Sequence, residues 1–417
     1  MKLELQKVVV MGLGYIGLPT ASMLATKGHK VLGVDVNKKA VDTINAGKIH
    51  IVEPDLDILV KSAVGSGNLR ASLEPEAADV FILAVPTPFK KQNGSETKIP
   101  DLSYVEAASR AIAPFLKAGN LIILESTSPV GTTERILEIV CELRPDLYDD
   151  FTPSKGHRTP VYVAHCPERV LPGRILRELV DNDRIIGGVD KVSAQQAREL
   201  YKSFCSGKIY LTDSKTAEMA KLVENSFRDV NIAFANELSL ICDRLGINVW
   251  ELIELANKHP RVSILQPGPG VGGHCIAVDP WFIVSAAPDL ARMIETARQV
   301  NDSKPLWVVN KVKSKAARFK DPVIGCLGLA FKADVDDMRE SPALDITRQL
   351  IASEVGRVMA CEPNSNSGFS EFPLYTLDQV LDEADILVVL VDHEEFKEID
   401  KEELKEKVVI DTRGVWR

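Results

Sequence analysis

The sequence lacks any apolar run that approaches the ~20 residues needed to cross a bilayer. Residues 1–7 mix charged and apolar side chains, so they do not resemble the apolar centre of a secretory signal peptide. Both observations lead us to expect a cytoplasmic protein that has no membrane partner.

Paired cysteines and clustered histidines are also absent. The seven cysteines are odd in number and contain no CxxC pair, which argues against a disulfide framework and against a zinc–thiolate site. The seven histidines are scattered, with no pair at the helical spacing of metal ligands. We therefore predict no metal, and the cysteine usage fits a reducing compartment.

An excess of positive charge is missing as well. The chain has 50 Lys and Arg against 59 Asp and Glu, a net charge of −9 and a pI near 5.5. Nucleic acid is therefore not expected as the main partner, although a local basic pocket for an anionic small molecule stays open. Its 417 residues are enough for about two or three domains.

What the sequence does have is an alternation of short apolar strands with helical patterns. Over about the first 200 residues this alternation predicts a parallel sheet with crossover helices. The predicted strands there are 7–11, 30–36, 79–85, 121–124, 161–164 and 184–187. The alternation resumes later, with predicted strands 323–328, 357–361, 386–391 and 408–411.

A long helix is predicted between these two regions, over residues 213–245, and Gly246 ends it. A second helix is predicted near residues 290–300. A helix of roughly 30 residues is about 45 Å long, more than one small domain covers, so we expect a hinge and a dimer contact. Apolar residues recur along it at spacings of three and four: Met219, Val223, Phe227, Val230, Phe234, Leu238, Ile241 and Leu245.

The predicted fold is α/β, with two Rossmann-like, doubly wound parallel-sheet domains joined by the long central helix and a small helical domain. The predicted boundaries are residues 1–205 for a dinucleotide-binding domain and residues 206–305 for a helical, dimer-forming domain with a cysteine loop. Residues 306–417 form the second Rossmann-like domain of this prediction.

A dinucleotide fingerprint follows the first predicted strand and opens a helix. Its turn consists of Gly12, Leu13, Gly14, Tyr15, Ile16 and Gly17. Glycines let a pyrophosphate approach the backbone at a helix N-terminus, and Asp35 is placed to hold the ribose hydroxyls. The acid favours NAD over NADP, although Lys38 and Lys39 keep NADP open. The alternative is a glycine turn with no nucleotide.

Three later strands end in polar turns that contain proline. Ligands of open α/β sheets bind outside the carboxyl ends of the strands, so Thr87, Thr127 and Glu168 are expected to face cofactor and substrate. Two of these residues also have a simpler interpretation. Thr127 would serve as a helix N-cap, and Glu168 would be a solvated loop carboxylate.

The strongest sign of chemistry is the glycine-rich run 266–275, which ends at Cys275. Its glycines permit positive φ angles and close approach to a ligand; they are Gly268, Gly270, Gly272 and Gly273. A free cysteine is usually a small buried hydrophobe, but the other signals in the chain favour a reactive thiol here.

Lys221 and Asn225 lie one turn apart on the long helix and share a face, which Arg228 continues. A solvated helix face is the alternative. A lysine there would lower the pKa of the cysteine and hold a developing oxyanion. In the C-terminal region, Lys332 and Arg339 are suited to phosphate or carboxylate charge, and the glycine spacing nearby is not that of a second NAD site.

Taken in order, these motifs resemble the UDP-glucose/GDP-mannose dehydrogenase family over essentially the whole chain. The segments that carry the resemblance are GLGYIGLP, AVPTP, STSPVGTT, CPER, AEMAKLVENSFRD, GPGVGGHC and FKADVDDMRESP. The contexts HCIAVDPWF and DTRGVWR resemble the branch that acts on UDP-N-acetyl-D-mannosamine.

The resemblance implies a four-electron oxidation of a sugar CH2OH to a carboxylate by two NAD in succession, through a cysteine thiohemiacetal and a thioester. It implies catalytic roles for Cys275, Lys221, Asn225, Asp279, Glu168 and Thr127. It implies NAD contacts from Gly12, Gly14, Tyr15, Ile16, Gly17, Asp35, Thr87, Thr127 and Arg339. It implies UDP-sugar contacts from Arg169, Lys221, Asn225, Arg228, Arg261, Gly268, Gly272, His274 and Lys332.

One departure from the family pattern concerns water activation. Many members carry a second carboxylate where this chain has Pro172, so Glu168 is left as the main activating group, with Asp279 as its helper. The resemblance also implies that Arg261 reaches a substrate across a dimer, and that residues 306–417 bind the UDP-sugar. We expect a homodimer or a higher homo-oligomer.

Three alternatives stay open. The first keeps the chemistry and changes the substrate to UDP-N-acetylglucosamine, UDP-glucose or GDP-mannose. The second is a two-electron hydroxyacid dehydrogenase, and the third is a non-catalytic nucleotide-sugar sensor. The segment 151–160, with Lys155, His157 and Arg158, is predicted to be either a specificity loop or a solvated insertion.

Overall fold

The computed structural model describes residues 5–92, 95–148, 160–171, 173–273, 275–365 and 369–416. The chain divides into two compact units, Met1–Val223 and Glu224–Arg417. The boundary between them falls inside the longest helix, so the three-domain division stays a prediction.

An eight-stranded sheet forms the centre of the first unit, which also contains a two-stranded hairpin. The strands of this unit are β1 (Lys7–Met11), β2 (Lys30–Val34), β3 (Leu69–Ser72), β4 (Val80–Leu83), β5 (Phe89–Gln92), β6 (Ser95–Pro100), β7 (Leu121–Leu124), β8 (Tyr162–His165), β9 (Arg184–Gly188) and β10 (Ile209–Asp213). The large sheet has the spatial order β10-β9-β8-β7-β4-β1-β2-β3, and β5 pairs with β6. The strand order reverses at β1, which is where doubly wound sheets bind ligands.

One edge of this sheet departs from the predicted parallel arrangement. Strand β9 is antiparallel to β8, with Ala164 opposite Gly188, and β10 is parallel to β9. The expected parallel arrangement therefore does not hold for the β8–β9 pair, and β10 has no counterpart among the predicted strands. An apolar strand pattern carries no information on direction, and mixed edges are common in large sheets.

The central strands are apolar throughout because both faces of the sheet are covered. Along β1, Val8 and Val10 pack into one core, and Val9 and Met11 pack into a second core on the opposite face. The helices of the first unit are α1 (Gly17–Thr26), α2 (Lys38–Asn45), α3 (Leu56–Gly65), α4 (Ser103–Ile112), α5 (Thr132–Leu143), α6 (Ile175–Asp181) and α7 (Lys191–Tyr201). The α/β fold of this region is confirmed.

Helix α8 (Ser214–Leu245) has 32 residues and ends at Gly246, whose φ is +69°. The predicted helix and its glycine end are therefore confirmed. The predicted apolar stripe is not a buried face, since six of its eight residues are exposed: Met219, Val223, Phe227, Phe234, Ile241 and Leu245. The buried residues of α8 include Leu222, Asp229, Asn236 and Cys242.

The second unit contains a four-stranded parallel sheet with the order β12-β11-β13-β14. Its strands are β11 (Val323–Leu327), β12 (Arg357–Cys361), β13 (Ile386–Val389) and β14 (Val408–Asp411). Its helices besides α8 are α9 (Val249–Ala256), α10 (Asp279–Ala286), α11 (Arg292–Ala316), α12 (Pro342–Ala352), α13 (Leu377–Glu383) and α14 (Glu394–Lys397). Helix α11 continues beyond the predicted end near residue 300 and includes Pro305 in its interior. Among the described residues, no helix is both long and apolar enough to span a membrane.

Candidate active site

The turn between β1 and α1 contains three glycines. Close packing within the fold leaves no room for a Cβ at two of them, and the third faces open space. A Cβ on Gly12 would lie 2.6 Å from the carbonyl oxygen of Ala84, and a Cβ on Gly17 would overlap the carbonyl oxygen of Gly12. A Cβ on Gly14 would meet nothing within 4 Å, and Gly14 is exposed. The backbone at Gly14 is therefore open to a ligand.

Asp35 lies directly after β2 and holds the same turn. Its Oδ2 accepts a hydrogen bond from the Leu13 N–H at 2.9 Å, and its Oδ1 accepts one from the Asn37 N–H at 2.8 Å. Each carboxylate oxygen has a further lone pair, so Asp35 can still accept from ribose hydroxyls. Tyr15 is exposed and Ile16 is half-buried where α1 begins. The turn fits an adenine dinucleotide.

The turns that follow β4 and β7 are joined by hydrogen bonds. The hydroxyl of Thr87 donates to the carbonyl oxygen of Thr127 at 2.6 Å, and the hydroxyl of Ser126 donates to that of Val85 at 2.6 Å. These strands are parallel neighbours, so the turns lie at one edge of the sheet. The N-cap of α5 is Gly131, and the interpretation of Thr127 as a helix N-cap is therefore wrong.

Glu168, in the turn after β8, belongs to a buried ion pair. Arg184 at the start of β9 places its Nη1 3.2 Å from Oε2 of Glu168, and both side chains are about 95% buried. Oε1 of Glu168 accepts the Arg169 N–H at 2.8 Å, and Arg169 Nη1 donates to the carbonyl oxygen of Asp183. The interpretation of Glu168 as a solvated loop carboxylate is wrong.

Further buried polar groups lie in the same region. Tyr201 donates its hydroxyl to Oε1 of Glu125 at 2.5 Å, and the Arg184 guanidinium lies 4.7 Å from the Tyr201 ring centroid. Burial, and then the charge of Glu168, raise the pKa of Glu125 to about 7. Burial raises the pKa of the Cys166 thiol to about 12, so this thiol is protonated.

Glu218 anchors the first part of α8 within the first unit. Its buried carboxylate accepts the N–H groups of Gly131 at 2.6 Å and of Thr133 at 2.7 Å, where α5 begins. A carboxylate is stabilised there by the unpaired N–H groups of the helix. Burial nevertheless raises the pKa of Glu218. Lys221 follows one turn later and is half-buried.

His165 ends β8 and is fully buried. Burial, and in smaller part the charge of Lys221, lower the pKa of His165 to about 3. The imidazole is therefore neutral at physiological pH. The positive charge of Lys221 therefore acts on the carboxyl end of β8.

Three predicted residues are connected in the second unit. The side-chain amide of Asn225 donates to Oδ2 of Asp279 at 2.6 Å, and both residues are buried. Asp279 opens α10, and its N–H donates to the carbonyl oxygen of Cys275 at 2.9 Å. Cys275 is the exposed member of the seven cysteines, all of which lie in the described part of the chain.

The glycines before Cys275 let other residues of this protein pack closely against the backbone. A Cβ on Gly272 would lie 2.5 Å from the carbonyl oxygen of Glu340, and a Cβ on Gly273 would lie 3.1 Å from the Phe331 ring. Gly268 donates its N–H to Oδ1 of Asn236 at 2.8 Å. Gly272 and Gly273 therefore make room for residues 331–340, and the contact of this glycine run with a ligand stays a prediction.

The remaining predicted ligand residues carry exposed charge. Lys332 and Arg339 lie in the segment after β11, where Arg339 pairs with Asp337 at 2.6 Å. Arg228 on α8 and Arg261 after α9 are also exposed. His274, Pro172 and the segment 151–159 lie outside the described residues. Within those residues, no group of three or more His, Cys, Asp or Glu is arranged to hold a metal ion.

Sequence reasoning missed four residues that the structure places beside predicted ones. Arg184 pairs with Glu168, and the charge of Glu168 acts on Glu125. Tyr201 donates a hydrogen bond to Glu125, and Glu218 precedes Lys221 on α8. A charged residue directly after an apolar strand, as Glu125 is, was the one available signal. The others are single residues whose meaning depends on the fold.

Comparison with known proteins agrees with this architecture. Residues 6–205 match the NAD binding domain, residues 215–303 the central domain and residues 325–417 the UDP binding domain of the UDP-glucose/GDP-mannose dehydrogenase family. The chain is 57% identical to the NDP-N-acetyl-D-galactosaminuronic acid dehydrogenase of Ralstonia nicotianae, over 99% of this chain and 97% of that one. It is 56% identical to the UDP-N-acetyl-D-mannosamine dehydrogenase of Yersinia pestis, over 100% of both chains.

A solved structure is similar over nearly the whole length. The UDP-D-ManNAc dehydrogenase from Pyrococcus horikoshii is 40% identical, with a TM-score of 0.86 over 99% of this chain and 96% of that one. The nucleotide turn and these matches define an NAD-dependent dehydrogenase that acts on nucleotide sugars. The chain belongs to the UDP-glucose/GDP-mannose dehydrogenase family.

Proposed function

We propose that this enzyme oxidises the C6 hydroxymethyl group of UDP-N-acetyl-D-mannosamine to the carboxylate of UDP-N-acetyl-D-mannosaminuronate. The relatives from Yersinia pestis and Pyrococcus horikoshii are both named as dehydrogenases of this sugar nucleotide, and this supports the choice of sugar. The observation that carries the chemistry is the exposed Cys275, one turn before an Asp279 that is hydrogen-bonded to Asn225.

The chain's own residues provide the cofactor site and the first proton acceptor. The open backbone at Gly14 and the carboxylate of Asp35 would hold the cofactor, with Tyr15, Thr87 and Arg339 as further contacts. When bound, NAD+ accepts one hydride in each of the two oxidations. Asp279, acting through water, takes the proton of the substrate hydroxyl as the aldehyde forms, and the Lys221 ammonium stabilises the developing negative charge on the oxygen.

Cys275 keeps the aldehyde on the enzyme. Its thiolate sulfur bonds to C6 and converts the aldehyde to a thiohemiacetal, whose oxyanion Lys221, Asn225 and Thr127 stabilise. Asn225 has a second amide hydrogen besides the one it gives to Asp279, so it can do both. The second oxidation leaves a thioester between C6 and the sulfur.

Hydrolysis of the thioester completes the reaction. Glu168, helped by Asp279, takes a proton from a water whose oxygen bonds to C6. The C6–sulfur bond then breaks, Cys275 leaves as the thiolate, and the water oxygen remains in the carboxylate. The exposed cations Lys332, Arg228 and Arg261, together with Arg169, suit the charge of a UDP-sugar.

A second candidate substrate contains N-acetylgalactosamine. The relative from Ralstonia nicotianae, named as an NDP-N-acetyl-D-galactosaminuronic acid dehydrogenase, is as similar to this chain as the mannosamine enzymes are. The two sugars differ in configuration at C2 and C4, while the oxidised carbon is the same. The residues that act on C6 therefore serve either substrate.

Initial rates of NADH formation on five nucleotide sugars test the proposal. We expect kcat/KM to be highest for UDP-N-acetyl-D-mannosamine, ahead of UDP-N-acetylgalactosamine, UDP-N-acetylglucosamine, UDP-glucose and GDP-mannose. A preference for UDP-N-acetylgalactosamine would select the second candidate. Binding of a UDP-sugar with no NADH formed would mean a sensor and would refute catalysis.

We also propose that the enzyme is a homodimer that works in the cytoplasm. The exposed apolar residues of α8, among them Phe227 and Phe234, form a face suited to a second copy of the chain. None of the seven cysteines, all of which lie in the described part of the chain, forms a disulfide, and this fits a reducing compartment.

A further inference from the structure

A chain of buried polar contacts leads from Glu168 into the first unit. Glu168 pairs with Arg184 at 3.2 Å, the Arg184 guanidinium stacks 4.7 Å from the Tyr201 ring centroid, and the Tyr201 hydroxyl reaches Glu125 at 2.5 Å. None of the four residues is more than 7% exposed. Two carboxylates and one guanidinium thus share a region from which water is nearly excluded.

Glu125 is incompletely hydrogen-bonded, as is Arg184, whose Nε is also buried without a partner among the described residues. Oε1 of Glu125 accepts from Tyr201, whereas its Oε2 is buried and has no hydrogen-bond partner among the described residues. Glu125 stands directly after β7, so the fixed end of a strand holds it in place. A charged carboxylate is costly in such a position unless other charges compensate it.

We propose that Glu125 is the second carboxylate of the water-activating site: through Arg184, its charge sets how strongly Glu168 is restrained from taking a proton. The inference rests on the proposed role of Glu168 in thioester hydrolysis. When Glu125 is neutral, the positive charge of Arg184 acts on Glu168 alone. When Glu125 is ionised, it offsets that charge and repels Glu168, and Glu168 accepts the proton of water more readily.

The groups that face Glu125 come from four other elements. They are Glu168 and Cys166 after β8, Arg184 on β9, Tyr201 on α7, and the neutral Thr20 on α1. Burial raises the pKa of Cys166 to about 12 and the pKa of Tyr201 well above its usual value, so both stay protonated near neutral pH. Glu125, with a pKa of about 7, changes its charge in that range.

The test measures the decay of the covalent acyl-enzyme directly. Enzyme charged with UDP-N-acetyl-D-mannosamine and NAD is quenched in acid at intervals, and intact-protein mass spectrometry gives the acylated fraction. In the unaltered enzyme we expect the hydrolysis rate to rise through about pH 7. Glu125→Gln keeps the acceptor for Tyr201 and fixes the charge at zero. Its hydrolysis rate should be about tenfold lower at about pH 8, without the rise, and with KM for the sugar unchanged.

A second variant separates charge from structure. Tyr201 stabilises the charged form of Glu125, so Tyr201→Phe should raise the pKa of Glu125 and move the rise upward by about one pH unit. An unchanged pH profile in Glu125→Gln, or an unmoved rise in Tyr201→Phe, would overturn the inference. If Glu125→Gln does not fold, the position of the rise in Tyr201→Phe alone decides whether the inference holds. Failure of the proposed function would look different, since the unaltered enzyme would then form no acyl-enzyme.

Discussion

The side-chain amide of Asn225 lies 2.6 Å from the Asp279 carboxylate, and the bond connects α8 to the first residue of α10. Cys275 is tied to the same point, because its carbonyl oxygen accepts the N–H of Asp279. Three residues singled out by sequence motifs are therefore linked in the second unit. The buried bond has consequences for both stability and rate.

Replacing Asn225 with Ala should lower both kcat and stability. The change leaves the buried Asp279 carboxylate without this donor, at a cost of about 1–3 kcal/mol in the free energy of unfolding. It also removes a proposed oxyanion donor, for which a roughly 100-fold loss of kcat is expected. Urea denaturation and steady-state kinetics measure the two effects.

Asn231→Ala is the matched control for Asn225→Ala. Asn231 lies on the same helix, and its amide donates to the carbonyl oxygen of Phe227. We expect its kcat to stay close to that of the unaltered enzyme. An Asn225→Ala enzyme with unaltered kcat would contradict the role given to this residue.

Gly272→Ala should destabilise the loop that carries Cys275. The added methyl group would lie 2.5 Å from the Glu340 carbonyl oxygen, so either the cysteine loop or the segment that contains Glu340 must shift. We expect a loss of about 1–3 kcal/mol in unfolding free energy, together with a lower kcat. Gly65→Ala, at the end of α3, is the control, because a Cβ there meets nothing within 4 Å. Equal stability of the two variants would show that the close packing at Gly272 is unimportant.

Lys304 should make stability depend on pH. Burial is the main cause that lowers its pKa from 10.5 to about 7. Between these values the unfolded chain binds more protons than the folded one, so this residue makes stability rise with pH. Its destabilising effect is complete below about pH 7 and is lost as pH approaches 10.5.

Lys304→Met is the variant that measures this effect. We expect it to raise the free energy of unfolding by a few kcal/mol near pH 7, and the gain should shrink as pH rises. Urea denaturation at several pH values gives the difference. A gain that grows with pH would contradict the assignment.

Phe227→Glu should weaken self-association. Phe227 is 67% exposed on the apolar face of α8, and a carboxylate there would have to be buried in a dimer contact. Light scattering after gel filtration should show a shift from dimer towards monomer. Ile58→Glu on α3 is the control, with 65% exposure in a helix that carries no such face. A mass unaffected by Phe227→Glu would exclude this face as the contact.

The sequence predicted the elements whose apolar runs are strong and bounded. Strands β1, β7, β12 and β14 have the predicted bounds because each apolar run stops at a polar residue or turn. The β5–β6 hairpin was missed because its residues are largely charged or polar and contain no apolar run. The reversed direction of β9 was missed because burial alone does not encode direction.

The residues of the candidate site likewise fall into those that a sequence motif predicts and those that it does not. Residues that stand together in short motifs, such as Cys275 and Asp279, were found because the motif itself places them. Glu125, Arg184 and Tyr201 come from separate elements and meet only after folding, so no local pattern joins them. The glycines before Cys275 show a related limit, since the lack of a Cβ suits a ligand and a neighbouring carbonyl group equally well.

The decisive measurement is the number of NADH formed per molecule of limiting UDP-N-acetyl-D-mannosamine, with and without the Cys275 thiol. We expect about two NADH per sugar for the unaltered enzyme, with the uronate as product. We expect that Cys275→Ala does not sustain uronate formation. One NADH per sugar, or steady uronate production by Cys275→Ala, would refute the thioester mechanism.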